Sequence, residues 1–326
     1  MNLHLIAAIQ GVVEGLTEFL PVSSTGHLIL SAHLLGFSGE KADTFEVFIQ
    51  LGAILAVAIL YRSRILDMLR RWRDLPWSSS RLTLWHVGLA MVPAVVMGLL
   101  FHKKIKLYLF SPATVLVGLV VGGVYLILAE RYQPPVRAAT VDDLTWRQAV
   151  GVGLFQCLAL WPGFSRAGAT IAGGLLLGIA HEPAAEFSFL LAVPMMVAAS
   201  GKDLWSSRHL LSADDAAIFG IGFAVSFVVA WLAVVSFMRF LGRTKLTPFA
   251  WYRFALAAAF GVYMLGAAGT AAPPVSLGGP TAGGAGVEQT APAATSTPAS
   301  QALPNPTATG SAPDGISAPA AEAPPP

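Results

Sequence analysis

Residues 14–27 read EGLTEFLPVSSTGH and interrupt the first apolar segment of the chain with two glutamates, a proline, three successive hydroxyl residues and a histidine. The proline ends a helix, because its ring removes a backbone N–H donor and clashes with the preceding turn. The serines and threonine that follow it are residue types that begin a new helix. The segment therefore predicts two short helices, over about residues 3–20 and 24–35, joined by a break that carries polar side chains.

The composition around this segment is typical of a membrane protein. Of 326 residues, 55% are hydrophobic and only 12% are charged, about half the charged fraction of a soluble domain. A membrane barrel would show alternating apolar residues, whereas this chain has unbroken runs that approach the roughly 20 residues of a transmembrane helix. The runs lie at residues 45–61, 86–101, 112–129, 216–238 and 254–268. The sequence thus predicts an all-α polytopic membrane protein.

Charge and cysteine content argue against other classes. The formal net charge of +2 gives no indication of a nucleic-acid partner. Cys157 is the single cysteine, so neither an intramolecular disulfide nor a thiolate metal cluster can form. We expect no cleavable signal peptide, because the first apolar stretch contains Glu14 and Glu18 and lacks a basic start.

A second polar break lies in the other half of the chain, where residues 162–170 read PGFSRAGAT. Ser24 follows Pro21 by three residues, and Ser165 follows Pro162 by three residues. In each half an apolar span led by a glutamate comes next, 25 residues after the first proline and 24 after the second. We therefore expect short helices on both sides of this break too, at about 147–160 and 166–178.

These matching intervals predict a duplication. Repeat one covers about residues 3–130 and repeat two about 147–268, and each holds a re-entrant helical hairpin followed by three transmembrane helices. An odd number of spans per repeat inverts the second repeat relative to the first. Broken helices at corresponding places in inverted halves indicate a binding site between them.

The termini and the orientation can also be predicted. The membrane domain, 1–268, precedes a tail rich in Ala, Pro, Thr and Gly, 269–326, that we expect to be disordered. With the arginine-rich loop at 62–81 in the cytoplasm, thirteen Lys and Arg lie on that side and six on the other, as the positive-inside rule requires. This places both termini and the first break outside the plasma membrane.

Two carboxylates and a histidine are candidate functional groups in the first motif. Glu14 and Glu18 lie four residues apart and share one face of a helix. Carboxylates within a membrane usually face a polar cavity or a partner, and this pair can bind Mg²⁺ or Ca²⁺, take part in acid–base chemistry, or lie at the interface without a catalytic role. His27 follows in the first turn of the next helix. It is either a ligand or catalytic group, or a hydrogen-bonded structural residue.

Helix starts after each break are candidate anion sites, because their free N–H groups attract phosphate. Ser23, Ser24 and Thr25 supply the capping groups of the first. Arg166 begins the helix after the second break, where its guanidinium can pair with phosphate oxygens or neutralise a glutamate from the first repeat. Both roles of this arginine can coexist.

Other polar residues extend the second motif. Gly163 allows the backbone to approach a ligand closely, and Ser165 and Thr170 add hydroxyls that can orient an anion. Glu46 and Glu186 begin apolar spans. Each is either a structural counter-ion or a site residue.

Both motifs closely resemble the signature regions of a known family, the bacterial undecaprenyl-diphosphate phosphatases of the BacA/UppP type. The resemblance covers about residues 3–266, and FEVFIQLGAILAV at 45–57 and EFSFLLAVP at 186–194 are similar to accompanying segments of that family. Ala167 departs from the pattern, since the family usually has serine there, and one supporting hydroxyl is lost.

The resemblance implies hydrolysis of undecaprenyl diphosphate to undecaprenyl phosphate and inorganic phosphate with a divalent cation. This reaction recycles the lipid carrier for peptidoglycan synthesis and confers bacitracin resistance. Carried over by motif position, the site consists of Glu14, Glu18, Ser24, His27, Ser165, Arg166 and Thr170. With the helix-start residues included, we predict catalytic roles for Ser24, His27, Glu18 and Arg166, substrate binding by Ser23, Thr25, Ser165, Thr170 and Gly163, and metal binding by Glu14 and Glu18.

The sequence leaves the mechanism and two rival functions open. Ser24 either attacks the terminal phosphorus or positions a water that does, and His27 is a base or a leaving-group acid, since its unperturbed pKa is near neutral. The main rival is a transporter or flippase for a phosphorylated lipid, because broken helices in inverted repeats are also transporter architecture. A scaffold for wall-synthesis enzymes is a third hypothesis, and assembly into a homo-oligomer or with wall-synthesis partners stays open.

Overall fold

The structure, a computed structural model, describes residues 2–267 apart from residues 78, 110, 242 and 243. The regular structure within these residues is helical, and one isolated bridge pairs Ala138 with Ile179. The helices are α1 Leu3–Thr17, α2 Ser24–Leu35, α3 Glu40–Leu60, α4 Arg62–Arg70, α5 Leu84–Leu109, α6 Pro112–Tyr132, α7 Trp146–Gln156, α8 Arg166–Leu176, α9 His181–Ser207, α10 Ala216–Leu241 and α11 Thr247–Ala267. This confirms the predicted all-α class. The predicted tail, 269–326, lies outside the described residues.

Six helices of the described part are long and apolar enough to cross a membrane: α3, α5, α6, α9, α10 and α11. This confirms the prediction of a multi-span membrane protein. The helices extend beyond the apolar runs, because their ends carry polar residues that hydropathy alone leaves out. Prolines inside two of them, Pro93 in α5 and Pro194 in α9, do not end the helix. Such prolines are tolerated in membrane helices because neighbouring groups satisfy the freed backbone carbonyls.

The short helices are close to the predicted ones, with differences at their ends. The second helix of the first motif begins at Ser24, as predicted. α1 ends at Thr17 and not at residue 20, because Pro21 has no N–H to donate to the Thr17 carbonyl and its ring clashes with that carbonyl. α7 ends at Gln156 and continues as a 3₁₀ turn, Cys157–Leu160, so the predicted helix 147–160 changes type in its last turn. Glu18 therefore lies in the break itself, at the end of α1.

Close helix contacts bring the two breaks together. α1 packs against α10, and α7 packs against α5. A Cβ atom on Gly15 would lie 2.7 Å from the Ser226 carbonyl oxygen, and one on Gly153 would lie 2.3 Å from the Ala90 carbonyl oxygen. Glycine is required at both positions, since backbones in membrane bundles approach closely where small residues face each other. Helix α6 contacts α8 and α11, so it joins the helix after the second break to the last span.

An aromatic core supports the first break. Phe19 is fully buried, and its ring meets the Phe189 ring of α9 edge to face, with 5.4 Å between centroids. The guanidinium carbon of Arg166 lies 5.4 Å from the Phe19 ring centroid, a cation–π distance. Residue 19 thus anchors the turn after α1 and contacts the start of α8.

Candidate functional site

The two breaks share one unusual backbone feature. Ser23 and Ser165 have positive φ angles of 72° and 75°, and they are the only described residues other than glycine with this property. Each serine caps the following helix, and its Oγ accepts a hydrogen bond from the N–H of Gly26 at 3.4 Å or of Gly168 at 3.1 Å. A non-glycine residue in this conformation costs about 1–3 kcal/mol, and such strain concentrates at functional sites.

The caps also correct the alignment of the two motifs. Counting from the prolines pairs Ser24 with Ser165, but the cap positions pair Ser23 with Ser165 and Ser24 with Arg166. The second break contains one more residue after its proline, and Gly163 takes up the extra residue with a φ of 90°. A Cβ atom there would lie 2.3 Å from the Val115 carbonyl oxygen, so only glycine fits against α6.

A cavity of about 170 Å³ lies between the breaks. Its wall includes polar groups from both motifs and the first residues of α2 and α8, whose N-termini favour negative charge. The lining residues are Glu18, Ser23, Ser24, Thr25, Gln50, Ala159, Trp161, Pro162, Gly163, Ser165, Arg166 and Met196. Seven predicted site residues therefore meet in one cavity. Gln50, a polar residue on an otherwise apolar helix, was a weaker candidate, and Trp161 and Met196 are additions that their local sequence did not indicate.

Glu18 is the centre of the polar network in this cavity. Its Oε1 accepts a hydrogen bond from Arg166 Nη2 at 3.2 Å, which is also an ion pair. Its Oε2 accepts a hydrogen bond from the Ser24 hydroxyl. A hydroxyl that donates to a carboxylate at a helix start has the geometry of an activated nucleophile. One carboxylate thus orients both the candidate nucleophile and the candidate phosphate-binding group.

Arg166 is held by residues of α9 as well. Its Nη1 donates to the Ser188 carbonyl oxygen at 3.1 Å, and its buried Nε–H has no hydrogen-bond partner among the described residues. Thr170 does not line the cavity: its Oγ1 donates to the Arg166 carbonyl oxygen at 2.8 Å and lies 2.6 Å from Ser188 Oγ. Thr170 and Ser188 therefore support Arg166 from behind. Ala167 is fully buried in α8 and also lies outside the cavity wall.

Glu14 lies one turn before Glu18 and is completely buried behind the cavity. Neither of its carboxylate oxygens accepts a hydrogen bond from a described residue. Orphaned carboxylate oxygens beside a second carboxylate fit a hard cation, which prefers oxygen ligands. Within the described ranges no group of three or more His, Cys, Asp and Glu surrounds a single cation position. Glu14 and Glu18 can thus supply part of a coordination sphere, and phosphate or water oxygens would complete it.

His27 is not among the residues that line the cavity, and two contacts hold its ring. Its Nδ1 lies 2.7 Å from the Ser23 carbonyl oxygen and its Nε2 lies 2.7 Å from the Tyr252 hydroxyl. A carbonyl only accepts, so Nδ1 carries a proton, and in the neutral imidazole Nε2 then accepts from the Tyr252 hydroxyl. The two rings are stacked, with 5.6 Å between centroids and 4° between planes. The predicted role of His27 as acid or base stays a prediction.

Glu46 and Glu186, which the sequence places at the start of spans, lie within α3 and α9 and outside this network. Glu186 pairs with Arg64, with 3.4 Å between Oε1 and Nε, and Arg64 also binds Asp142 at 2.9 Å. This supports the interpretation of Glu186 as a counter-ion. Glu46 does not line the cavity. Tyr252 is a contact of the first motif that the sequence did not indicate, because an aromatic residue near the end of a span is ordinary in membrane proteins.

A polar cavity that contains Arg166 and two helix starts inside an apolar bundle is typical of a membrane protein that binds an anionic ligand. Residues 7–259 match the family described as Bacitracin resistance protein BacA, and the chain belongs to this family. Similar proteins include the Undecaprenyl-diphosphatase 1 of Bacillus thuringiensis (strain Al Hakam), of a Bacillus cereus strain and of Bacillus anthracis. Each is 54% identical over 261 residues, which cover 80% of this chain and 98% of the relative.

Proposed function

We propose that this protein is an integral membrane phosphatase that hydrolyses undecaprenyl diphosphate to undecaprenyl phosphate and inorganic phosphate. Family membership and the activity named in its 54% identical relatives support this reaction. The observation that carries it is the meeting of the Ser24 hydroxyl, the Glu18 carboxylate and the Arg166 guanidinium in one cavity. The activity recycles the lipid carrier of wall synthesis and confers bacitracin resistance.

The proposed architecture is a pair of inverted repeats, each with a re-entrant hairpin and three spans. The packing between the repeats supports this architecture. Helix α1 of the first repeat packs on α10 of the second, and α7, the counterpart of α1 in the second repeat, packs on α5 of the first. The matching serine caps at the two breaks support it as well. With the arginine-rich loop in the cytoplasm, the cavity and both termini face the outside of the plasma membrane.

The proposed chemistry is phosphoryl transfer at the terminal phosphorus. The lipid tail lies between helices, and the diphosphate lies at the starts of α2 and α8, where Arg166 and backbone N–H groups stabilise the charge on the transferring group. As Ser24 Oγ forms a bond to phosphorus, the bond from phosphorus to the bridging oxygen breaks, and the Ser24 proton passes to Glu18. Undecaprenyl phosphate leaves, and water hydrolyses the phosphoserine. In the alternative, Ser24 and Glu18 orient a water that attacks directly.

A divalent cation, Mg²⁺ or Ca²⁺, would be held by Glu14 and Glu18 together with diphosphate oxygens. When bound, it would neutralise the head group and the charge on the departing phosphate. Glu14 would gain partners for oxygens that otherwise accept no hydrogen bond from described residues. Glu18 would keep its contacts to Ser24 and Arg166 while sharing this role.

The test is phosphate release from undecaprenyl diphosphate by the purified protein in detergent, with and without EDTA. Glu18→Gln keeps the size of the side chain and removes its charge, whereas Arg166→Lys keeps the charge and removes the guanidinium. We expect each substitution to abolish phosphate release. Glu182→Gln is the matched control, because Glu182 is exposed at the start of α9, away from the cavity. Metal-dependent release that the control retains supports the proposal, whereas a folded wild type without release under several metals contradicts it.

A lipid transporter is the second candidate, favoured by the pair of broken helices around one cavity. Transport needs a membrane with two sides, whereas hydrolysis does not. Phosphate release in detergent therefore separates the two functions. Transport also has no need for a serine hydroxyl directed at a carboxylate, so this contact favours the phosphatase.

A further inference from the structure

We propose that Arg253, a residue of α11 outside both motifs, positions the two helix breaks relative to each other and so sets the geometry of the cavity. The inference rests on the proposed phosphatase function and extends it to a residue that touches no substrate. It follows from the contacts, the burial and the surroundings of one guanidinium.

Arg253 donates hydrogen bonds to backbone carbonyls of three separate segments. Its Nη1 lies 3.4 Å from the Pro21 oxygen in the first break, and its Nη2 lies 2.7 Å and 2.9 Å from the Gly163 and Phe164 oxygens in the second. The remaining contacts go to α6, where Nε meets the Leu119 oxygen at 3.1 Å and Nη2 meets the Gly118 oxygen at 3.2 Å. One side chain thus joins both breaks to a spanning helix.

Burial makes this arrangement specific. Arg253 is 0% exposed and is among the largest fully buried side chains of the described chain. No carboxylate in the described ranges forms an ion pair with it, so the carbonyl oxygens alone compensate its charge. A charged residue inside a membrane is expensive and is a functional residue by default. Lysine cannot replace it, because an ammonium has three donors and no planar fork.

Glycines reserve the space for the guanidinium. A Cβ atom on Gly122 would lie only 2.1 Å from Arg253 Nη2, and one on Gly168 would lie 3.2 Å from Nη1. Gly168 is also the residue whose N–H bonds the Ser165 cap. The guanidinium therefore lies directly behind the capped start of α8.

The bonded carbonyls lie at the places where a shift would matter most. Pro21 precedes the strained cap Ser23 by two residues, and Phe164 directly precedes the strained cap Ser165. Ser24 and Arg166 are the next residues after those caps, and they share Glu18. A displacement of one break relative to the other would separate the nucleophile from the phosphate-binding group.

Two variants test the inference by different routes. Arg253→Lys removes donors, whereas Gly122→Ala leaves the arginine intact but places a Cβ atom 2.1 Å from Arg253 Nη2 and 2.8 Å from the Phe164 carbonyl oxygen, so it disrupts the contact between them. Gly88→Ala is the matched control, because a Cβ atom there meets nothing within 4 Å. The purified proteins are compared by kcat, by KM for undecaprenyl diphosphate, and by hydrogen–deuterium exchange of residues 18–27 and 160–168.

We expect both variants to lower kcat by about 100-fold, the loss typical of a reactive group displaced by about 1 Å, with a smaller change in KM. Exchange should become faster in both breaks at once and stay unchanged in α10. Unchanged kcat and exchange would overturn the inference, as would faster exchange in only one break. If both variants lose the whole fold, Arg253 holds the entire bundle and the positioning role is wrong. A wild type without phosphate release contradicts the phosphatase function instead, while the exchange result still tests the link between the breaks.

Discussion

Glu18 and Arg166 form an ion pair, with 3.2 Å between Oε1 and Nη2, although 148 residues separate them in the sequence. Both side chains are largely buried, at 7% and 15% exposure. The pair joins the glutamate of the first motif to the arginine of the second. Because Ser24 donates to the other oxygen of Glu18, the nucleophile, the carboxylate and the guanidinium form one connected group.

The first prediction separates the structural part of this pair from its catalytic part. Glu18→Gln leaves Arg166 buried without its counter-ion, which should lower the free energy of unfolding by about 3–5 kcal/mol. Glu18→Gln with Arg166→Gln removes both charges, so most of the stability should return while phosphate release stays absent. Thermal unfolding in detergent and phosphate release measure the two quantities. Equal stability of the single and double variants would contradict the assigned ion pair.

Local signals explain what the sequence predicts well. Pro21 and the hydroxyl residues after it define where α1 stops and α2 starts, and the structure places the start of α2 at Ser24. Five long apolar runs, together with the repeat that places three spans in each half, likewise predict six spans, because bilayer crossing depends on composition over about 20 residues. The clustering of Glu18, Ser24 and Arg166 was predictable from two broken helices and their polar side chains.

Contacts from distant helices explain what the sequence could not predict. Tyr252 contacts His27, which is 225 residues away in the sequence, and Arg253 contacts Pro21, which is 232 residues away. Both lie in an apolar span with no motif around them, so nothing local distinguishes a hydrogen-bonded arginine from an interfacial one. The sequence also could not predict that the second break is one residue longer than the first, because the cap positions that show this follow from the backbone angles of Ser23 and Ser165.

The second prediction distinguishes the two adjacent serines. Ser24→Ala removes the hydroxyl that donates to Glu18, and we expect kcat to fall by about 1,000-fold, within the range for loss of proton-transfer catalysis. Ser23→Ala removes the helix cap, which should cost about 1 kcal/mol of stability and lower kcat less. Acid quenching and mass spectrometry of the wild type then test for phosphoserine at position 24. Full activity of Ser24→Ala would exclude the nucleophile, and its loss without phosphoserine favours direct water attack.

The third prediction concerns the cation. Glu14→Gln keeps the shape of the side chain but removes the charge of the carboxylate whose oxygens accept no described hydrogen bond. Since affinity for hard cations follows the number of charged ligands, the Mg²⁺ concentration for half-maximal activity should rise at least about tenfold. The control is Glu40→Gln, because Glu40 is exposed at the start of α3. An unchanged Mg²⁺ titration would remove Glu14 from the metal site.

The fourth prediction tests the contact between Tyr252 and His27. Tyr252→Phe keeps the stacked ring and removes the hydroxyl 2.7 Å from Nε2. A single hydrogen bond contributes about 0.5–1.5 kcal/mol, so kcat should fall by about threefold to tenfold if the bond orients His27. In a His27→Ala background the same substitution should have no effect, because the partner is gone. Additive losses in the double variant would show that Tyr252 acts independently of His27.

The fifth prediction uses the strained backbone of Ser165, whose φ is 75°. Ser165→Ala keeps the strain and loses the hydrogen bond to the Gly168 N–H, so the free energy of unfolding should fall by about 1 kcal/mol. Ser165→Gly also loses the cap but adopts positive φ without strain, so it should be more stable than Ser165→Ala by about 1–3 kcal/mol. Both variants lose the hydroxyl that lines the cavity, and both should release phosphate more slowly than the wild type. Thermal unfolding measured side by side decides the comparison: equal midpoints for the glycine and alanine variants would mean that the break stores no strain at this residue.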